Sequence, residues 1–277
     1  MFIVIKHIHI NRANAFNDLA IGFPAITQWM GSVYGLEYRM WKSHKQKLYI
    51  NGAGICCHHC VPHIHYYRYN GKKIGSCSMS RNTCKQDGSN APFVTKASVS
   101  LDVSLVLDVE GNFGDNTENV LELIRTELEQ HKMAAGSVYQ PIDKIMVFGD
   151  DDDTAVLKAL MPGYMIVAYH KDIDIDDQDM QQYGQDALGK MLYSQSINVD
   201  NYKSGHDGWV IPLITGFYEI ENIGSCNRFI SRNRDYKNIY GSSIVELCEC
   251  VMPIRFEYVE EALWHVQDEN GLYKYCN

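Results

Sequence analysis

Between Cys56 and Cys84 the chain gathers groups that bind metals and move protons: Cys56, Cys57, His58, His59, Cys60, His63, His65, Cys77 and Cys84. Tetrahedral zinc takes four such thiolate or imidazole ligands, commonly as two spaced pairs. Cys57 and Cys60 make one pair, and Cys77 or His63 would complete a set. Strand geometry opposes this, because adjacent residues point to opposite faces and Cys56-Cys57 and His58-His59 cannot all converge. No metal and no cofactor is expected, and a zinc-stabilised interaction module is kept as an alternative. A second chemistry is metal-independent RNA cleavage, in which an imidazole takes the proton of a ribose 2′-hydroxyl and a Lys or Tyr assists. His58 or His59 is the first choice for that base, and His7 the next. The acidic run Asp150–Asp153 fits no calcium-loop pattern. It reads as acids gathered at a helix N-terminus, where the macrodipole favours them. No G-x-x-x-x-G-K, G-x-S-x-G or H-E-x-x-H occurs, so the usual nucleotide, serine-hydrolase and zinc-protease signatures are missing.

The charge is unevenly spread. The net charge is −9, which opposes nucleic-acid binding. Yet residues 1–100 carry 12 Lys and Arg against 3 Asp and Glu, with 7 of the 11 histidines. Residues 101–200 carry 6 against 20. One surface for a polyanion and another for protein or solvent would explain this, as would mutual neutralisation in the fold. Tyr66, Tyr67, Arg68, Tyr69, Lys72 and Lys73 interleave rings and cations, the combination that single-stranded RNA needs for stacked bases and phosphates. An ordinary amphipathic hairpin would carry the same residues. Lys42-Ser43-His44-Lys45-Gln46-Lys47 is a basic loop, read as lying beside an Asn-rich turn at Asn11, Asn14 and Asn17 and so able to track phosphates. Asn227–Arg234 is a second basic patch, in which Arg232 and Arg234 share a face if extended. The acidic block Asp172–Asp179 reads as solvated, or as a face for a basic partner.

Several elements must position these groups. Phe2–Ile10 is an apolar strand, with His7 and His9 on the face of Ile3 and Ile5. Gly22-Phe23-Pro24 opens a helix, and Phe23, Ile26, Trp29, Met30, Val33 and Leu36 recur at helical spacing. Ala25, Gly31, Ser32 and Gly35 keep another face small enough for a neighbouring backbone. Leu48–His59 is a strand. His63–Tyr69 and Lys72–Met79 form a hairpin about Asn70-Gly71, a pair suited to a type I′ turn. Ser80–Ala97 is a polar loop. Val99 to Val109 alternates apolar and polar residues as a strand. Asp115, with Glu118, caps a helix whose buried stripe is Val120, Leu121, Ile124 and Leu128. Ile142–Phe148 is a strand, Thr154–Leu160 a helix and Asp179–Tyr193 another. Trp209–Ile220 is a strand that Pro212 assigns to an edge or bulge. Ser242–Met252 reads as core, and Trp264, Tyr273 and Tyr275 as a packed tail. The order approaches a split βαβ, RRM-like plan. The expectation is an α+β fold, an RRM-like (ferredoxin-like) core with an antiparallel sheet, helices on one face and a protruding thumb-like hairpin or loop. No apolar run approaches the roughly 20 residues of a membrane span. A cytoplasmic protein with reduced cysteines follows by default.

A set of short motifs, in order, resembles a known family. They are Arg12-Ala13-Asn14-Ala15, Gly22-Phe23-Pro24-Ala25, Gly52–His58, Ser80-Arg81-Asn82 with Lys85–Gly88, Ser100–Val106, Leu160–Tyr164, Gly208–Pro212 and Ala262-Leu263-Trp264. The chain resembles the Csy-two family, Cas-five-type RAMP proteins of the type I-F CRISPR RNA-guided surveillance complex. Arg12 stands where that family carries Asn. The resemblance implies a single RAMP-type domain, with a core over about 1–170, a thumb-like insertion over about 63–97, and 171–277 packed on the core. It implies a non-catalytic subunit, since guide processing there belongs to another subunit. It also implies partners: the guide RNA 5′ handle, the large subunit, the repeated backbone subunit and target DNA in the assembled complex, with no membrane. Arg12 and Asn14 are RNA contacts by the turn motif. Lys42, Lys45, Lys47, Arg68, Arg81, Lys85, Arg232 and Arg234 follow from local charge.

Overall fold

The computed structural model describes residues 1–18, 20–81, 84–111, 113–171, 186–195, 210–224 and 238–277. In chain order the elements are β1 (Phe2–Asn14), β2 (Phe16–Asn17), β3 (Ala20–Ile21), α1 (Ile26–His44), β4 (Ile50–Pro62), β5 (Ile64–Tyr69), β6 (Lys72–Arg81), β7 (Phe93–Lys96) and β8 (Ser98–Val109). Then come α2 (Thr117–Gln130), β9 (Lys132–Met133), β10 (Gly136–Val138), β11 (Lys144–Phe148), α3 (Asp153–Ala159), β12 (Tyr164–Ala168), α4 (Ala187–Gln195), β13 (Val210–Gly224), β14 (Asn238–Val251), β15 (His265–Glu269) and β16 (Leu272–Cys276). The protein is a mixed α+β fold on one large antiparallel sheet.

That sheet runs β15-β16-β13-β14-β12-β4-β8-β1-β10-β9, with β11 also on β1. β8 lies antiparallel between β1 and β4, and α1 crosses from β1 to β4. β1 in turn lies antiparallel between β8 and β11, and α2 makes that crossing. Two strand-helix-strand units therefore interleave. The odd residues of β8, from Val99 to Val109, are buried on the side that holds Trp29, Val33, Leu36, Val120, Ile124 and Leu128. The apolar stripe of α1 is thus its core face. The opposite side of the sheet has its own core, in which Phe2, Val4, Val106 and Met165 meet Val156, Leu157 and Leu160 of the α3 region. Helices on one face only was the expectation, and this second core corrects it: β1 is apolar on both sides of Phe2–Ile5, so both sides must be covered.

Local details depart from the pattern reading where a neighbour intervenes. Pro24 sits ahead of the N-cap Ala25 rather than in the first turn. Gly31 opens onto space, while Ser32 accepts the Ala134 N–H at 3.0 Å, so close approach falls on Ser32. Asn116, not Asp115, is the N-cap of α2, and no side chain caps it. Of Ser80–Ala97, Phe93–Lys96 is a strand paired with β6, not loop. Pro212 lies where β13 pairs only β14, which satisfies the expected edge position. β14 is mostly half-buried, with Cys248 its fully buried apolar residue. Trp264 is fully buried and donates its Nε1–H to the Ile166 carbonyl, so the tail is packed.

Candidate nucleic-acid interface

The second sheet face is apolar only at one end. Toward the C-terminal end of β1 it turns polar, and three β-bulges decide what it shows. On β1 the register to β8 shifts between Ile5 and Ile8 and again between Ile10 and Ala13. His7 (φ 53°) and Arg12 (φ 57°) take the left-handed conformation at these points. On β4 it shifts between Cys57 and His59. A bulge inserts one residue and reverses the facing of the residues beyond it. Ile8 and Ile10 therefore return to the helix-side core, and His7 and His9 do not share a face with Ile3 and Ile5 as simple alternation implied. The polar end of the face carries His7, His9 and Asn11 of β1, Ser98, Ser100 and Asp102 of β8, and His58, His59 and Val61 of β4, with His59 exposed opposite Asp102.

Hydrogen bonds fix much of this surface. His58 donates Nδ1–H to the Pro162 carbonyl, and its Nε2 accepts the Ser104 hydroxyl at 2.6 Å. Ser104, fully buried, also accepts the His7 backbone N–H at 3.1 Å. The His7 ring stands 4.4 Å from the His58 ring, centroid to centroid, with Nδ1 3.1 Å from both Asp102 oxygens. Burial lowers the His58 pKa, against the raising effect of the Pro162 bond, and His7 adds to the lowering. Burial thus favours a neutral His58, with one ring nitrogen donating and the other accepting. His63 Nδ1 and Nε2 reach the hydroxyls of Ser98 (3.0 Å) and Ser100 (2.8 Å), and Ser100 donates to Asn11 Oδ1.

The turn after β1 lies at this same end. Asn14 accepts the Phe16 N–H on its side chain and donates its backbone N–H to Ala134. Asn17 is buried, and donates to the Phe23 carbonyl at 2.6 Å while accepting the Ile214 N–H. It is a clamp between turn and β13, not a contact residue. Arg12 is exposed, and Asn14 half-buried. Gly136 makes the second β1 bulge possible: a Cβ there would stand 2.7 Å from the Ala13 nitrogen and 2.8 Å from its Cα. No side chain fits so close to backbone.

β4 and β8 continue out of this end into a separate three-stranded ribbon, β5-β6-β7. Asn70 (φ 48°) and Gly71 (φ 76°) close its hairpin as the dipeptide predicts. Tyr66, Tyr67, Arg68, Tyr69, Lys72 and Lys73 are all exposed. Lys73 Nζ lies 4.1 Å from the Tyr66 ring centre, and Arg68 pairs with Lys73 across the strands. Lys85 is exposed in the turn that follows β6. Arg81 ends β6. Arg12 and Asn14 thus lie at the base of the ribbon, while Arg68 stands beside its hairpin turn and Arg81 at the far end of β6.

Lys42, Lys45 and Lys47 are not part of this group. Lys42 lies in the last turn of the 19-residue helix α1 and Lys45 and Lys47 follow it, and the helix is about 28 Å long at 1.5 Å per residue. The chain then enters β4 at Ile50, which pairs with Val109, and Val109 bonds back to Met1. The three lysines therefore lie at the opposite end of β1 from the Asn-rich turn, which corrects the reading that placed them beside it. Lys45 is the left-handed C-cap of α1, with its N–H on the Met40 and Trp41 carbonyls. The patch with Arg232 and Arg234 lies outside the described residues, as does the acidic block Asp172–Asp179.

Among the described residues no three His, Cys, Asp or Glu side chains gather as a metal site. Burial pushes the Cys56 thiol up to about 12 and that of Cys250 to about 11, so these are inert thiols. In the acidic run, Asp150 pairs with the chain N-terminus, Asp152 accepts the Gly149 N–H, and Asp153 accepts the Val259 N–H at 2.7 Å. Asp102, Ser104 and Ser100 were missed as site residues, although their alternation with Leu101, Val103 and Leu105 put them on one face.

The model of a family described as CRISPR-associated protein (Cas_Csy2) matches residues 3–275. A relative described as CRISPR-associated protein Csy2, from Pseudomonas aeruginosa (strain UCBPP-PA14), is 22% identical over 313 aligned residues, which cover 99% of this chain and 94% of the relative.

Proposed function

The chain belongs to the Csy2 family of CRISPR-associated proteins, and from that premise we propose that it is a non-catalytic RNA-binding subunit of a type I-F surveillance complex. It holds the 5′ handle of the guide RNA together with the large subunit, beside the first copy of the repeated backbone subunit. One observation carries this reading: Arg12, Asn14, the polar sheet face and the base of the β5-β6-β7 ribbon all meet at one end of the sheet. The interleaved strand order supports an RRM-like core, and the ribbon has the form of a thumb. Polar strand residues offer hydrogen bonds to bases, the tyrosines stack, and Arg12 and Arg68 meet phosphates. Target sequence is then read by the guide through base pairing, while the protein reads shape and backbone. No helix among the described residues is long and apolar enough to cross a membrane, and we place the protein in the cytoplasm.

Among the described residues, the histidine pair His7–His58, with exposed His59 beside it on β4, favours a ribonuclease. Its bonding supports the scaffold instead. The His58 nitrogens are occupied by Pro162 and Ser104, so no free imidazole lone pair is left there to take a 2′-hydroxyl proton. The test is co-expression with the large subunit and a guide RNA. A stable ternary species with intact RNA is expected, weakened by Arg12→Ala with Asn14→Ala. RNA cleaved by this chain alone, and spared by His58→Ala or His59→Ala, would overturn the proposal.

A further inference from the structure

The end of the sheet remote from Arg12 carries its own constellation. Tyr34, Glu37, Tyr38, Trp41, Lys47, Leu48 and Tyr49 line an open groove between the last turns of α1 and the chain entering β4. Rings are costly to leave in water unless something uses them. Here Tyr38 and Trp41 are each 54% exposed and Tyr49 is 51% exposed. Their rings are also arranged: Tyr38 and Trp41 lie 6.2 Å apart, and Lys42 Nζ stands 5.3 Å from the Tyr38 ring centre.

The charges around the groove have a direction. Lys42, Lys45 and Lys47 are exposed at its rim. Lys45 Nζ bonds the Lys42 carbonyl, and among the described residues none of the three ammonium groups meets a carboxylate. Inside the groove lies one acid, Glu37, half-buried. It accepts a backbone bond from Ile50, and its pKa is raised, chiefly by burial.

We propose that this groove is a second site for single-stranded RNA, separate from the handle site and at the opposite end of the molecule. Rings for base stacking surrounded by cations for phosphate are the requirements of single-strand binding. A carboxylate among them repels a phosphate, so the part of the ligand that enters must be base or sugar. Glu37 and the hydroxyls of Tyr34, Tyr38 and Tyr49 supply acceptors and donors for a ribose 2′-hydroxyl, the group by which a protein tells RNA from DNA. A protein partner would bury the same rings but would leave the three lysines without counter-charges, unless it were strongly acidic. The groove argument stands whether or not the handle reading holds, since it uses none of the same residues.

The test uses the full chain, alone and in its assembled complex, with two probes: a uridine homopolymer RNA and a thymidine homopolymer DNA of the same length. Ultraviolet cross-linking followed by peptide mass analysis should place the RNA on the segment from Tyr34 to Tyr49. Trp41→Ala with Tyr49→Ala should weaken RNA binding roughly tenfold or more, as loss of base stacking does. Replacing Lys42, Lys45 and Lys47 by Gln should lower the slope of log K against log salt by about 2, at about 0.7 per lost phosphate contact. Glu37→Ala should erase the preference for RNA over DNA. Arg12→Ala with Asn14→Ala should leave the cross-link on the segment from Tyr34 to Tyr49 in place while lowering total RNA affinity through the handle site, which separates failure here from failure of the handle reading. The variants all alter exposed or half-exposed side chains, and an unchanged melting temperature checks their folding. Equal or better binding of DNA would overturn the proposal. So would cross-links from this segment to a protein subunit only, or no cross-link at all.

Discussion

The cations at the two ends of β1 are held in different ways. At the Arg12 end they sit on strands and bulges, and the polar groups around them are joined through Ser104, Asp102, Ser100 and His63 to the sheet itself. At the Lys42 end they stand at the end of a helix, and what is fixed is the helix beneath them. Glu127 of α2, only 5% exposed, takes the Arg39 Nε–H and His44 Nε2 at 2.8 Å each, so α1 is tied to α2 on either side of Lys42. The first arrangement suits recognition of one fixed shape. The second leaves flexible side chains free to follow a strand of any sequence. Similar local charge is thus held in two ways, according to how far the backbone constrains it.

The largest way to break this contrast is at Glu127. Burial raises its carboxyl pKa, but the His44 and Arg39 bonds outweigh that and hold it below the ordinary value. Glu127→Gln should cost about 3 kcal/mol, since it strands a partly buried guanidinium, and thermal melting would read it. The unfolded chain binds the extra proton first. The stability from Glu127 is therefore present above the ordinary carboxylate pKa and lost as pH falls through the depressed one. Denaturant titrations at several acidic pH values should show a flatter acid limb in the variant, with handle binding by the folded fraction preserved.

Arg12→Ala with Asn14→Ala comes next. Two hydrogen bonds, one of them charged, amount to roughly a hundredfold in handle affinity at fixed salt. Gln at Lys42, Lys45 and Lys47 should leave handle affinity within about threefold in a filter-binding assay. Equal losses from the two sets would erase the distinction between the ends.

Gly136→Ala sharpens it from the backbone side. The added methyl meets the Ala13 main chain rather than a movable side chain. A stability loss of about 1–3 kcal/mol is expected, together with weaker handle binding, while the groove end is untouched. A full-affinity Gly136→Ala would mean that the Arg12 bulge is not needed for display.

The smallest effect is in the pH profile of His58. Its folded pKa is depressed by burial, so its contribution is present above the ordinary imidazole pKa and lost as pH falls through the lower folded one. His58→Gln should remove that part of the dependence below about pH 6.5. An unchanged profile would show that burial does not hold the ring neutral.

Much of this was legible in the chain. The stripe from Ile26 to Leu36 buried as spaced, Asn70-Gly71 closed its hairpin, and the alternation from Val99 to Val109 laid out both faces of β8. These are local signals, set by bonds and periodicities within a few residues. The motifs from Arg12 to Trp264 also carried the family. Less was legible of the site. The lysines of 42–47 looked adjacent to the Asn-rich turn because they are near it in sequence, but α1 carries them about 28 Å away. His7 and His9 looked paired with Ile3 and Ile5 because alternation ignores bulges. Asn17 looked like one more polar turn residue, and only its bonds to Phe23 and Ile214 show it to be structural.

What the sequence determined by itself was which segments are helix, strand and turn, because those follow from short-range geometry and from which side of each element must leave water. What the tertiary structure alone decided was which polar residues meet. The bulges at His7, Arg12 and His58 depend on β8 and on the space beside Gly136, far away in the chain. A register shift of one residue reverses every following side chain, and its cost is set by the partner strand, which no local pattern contains.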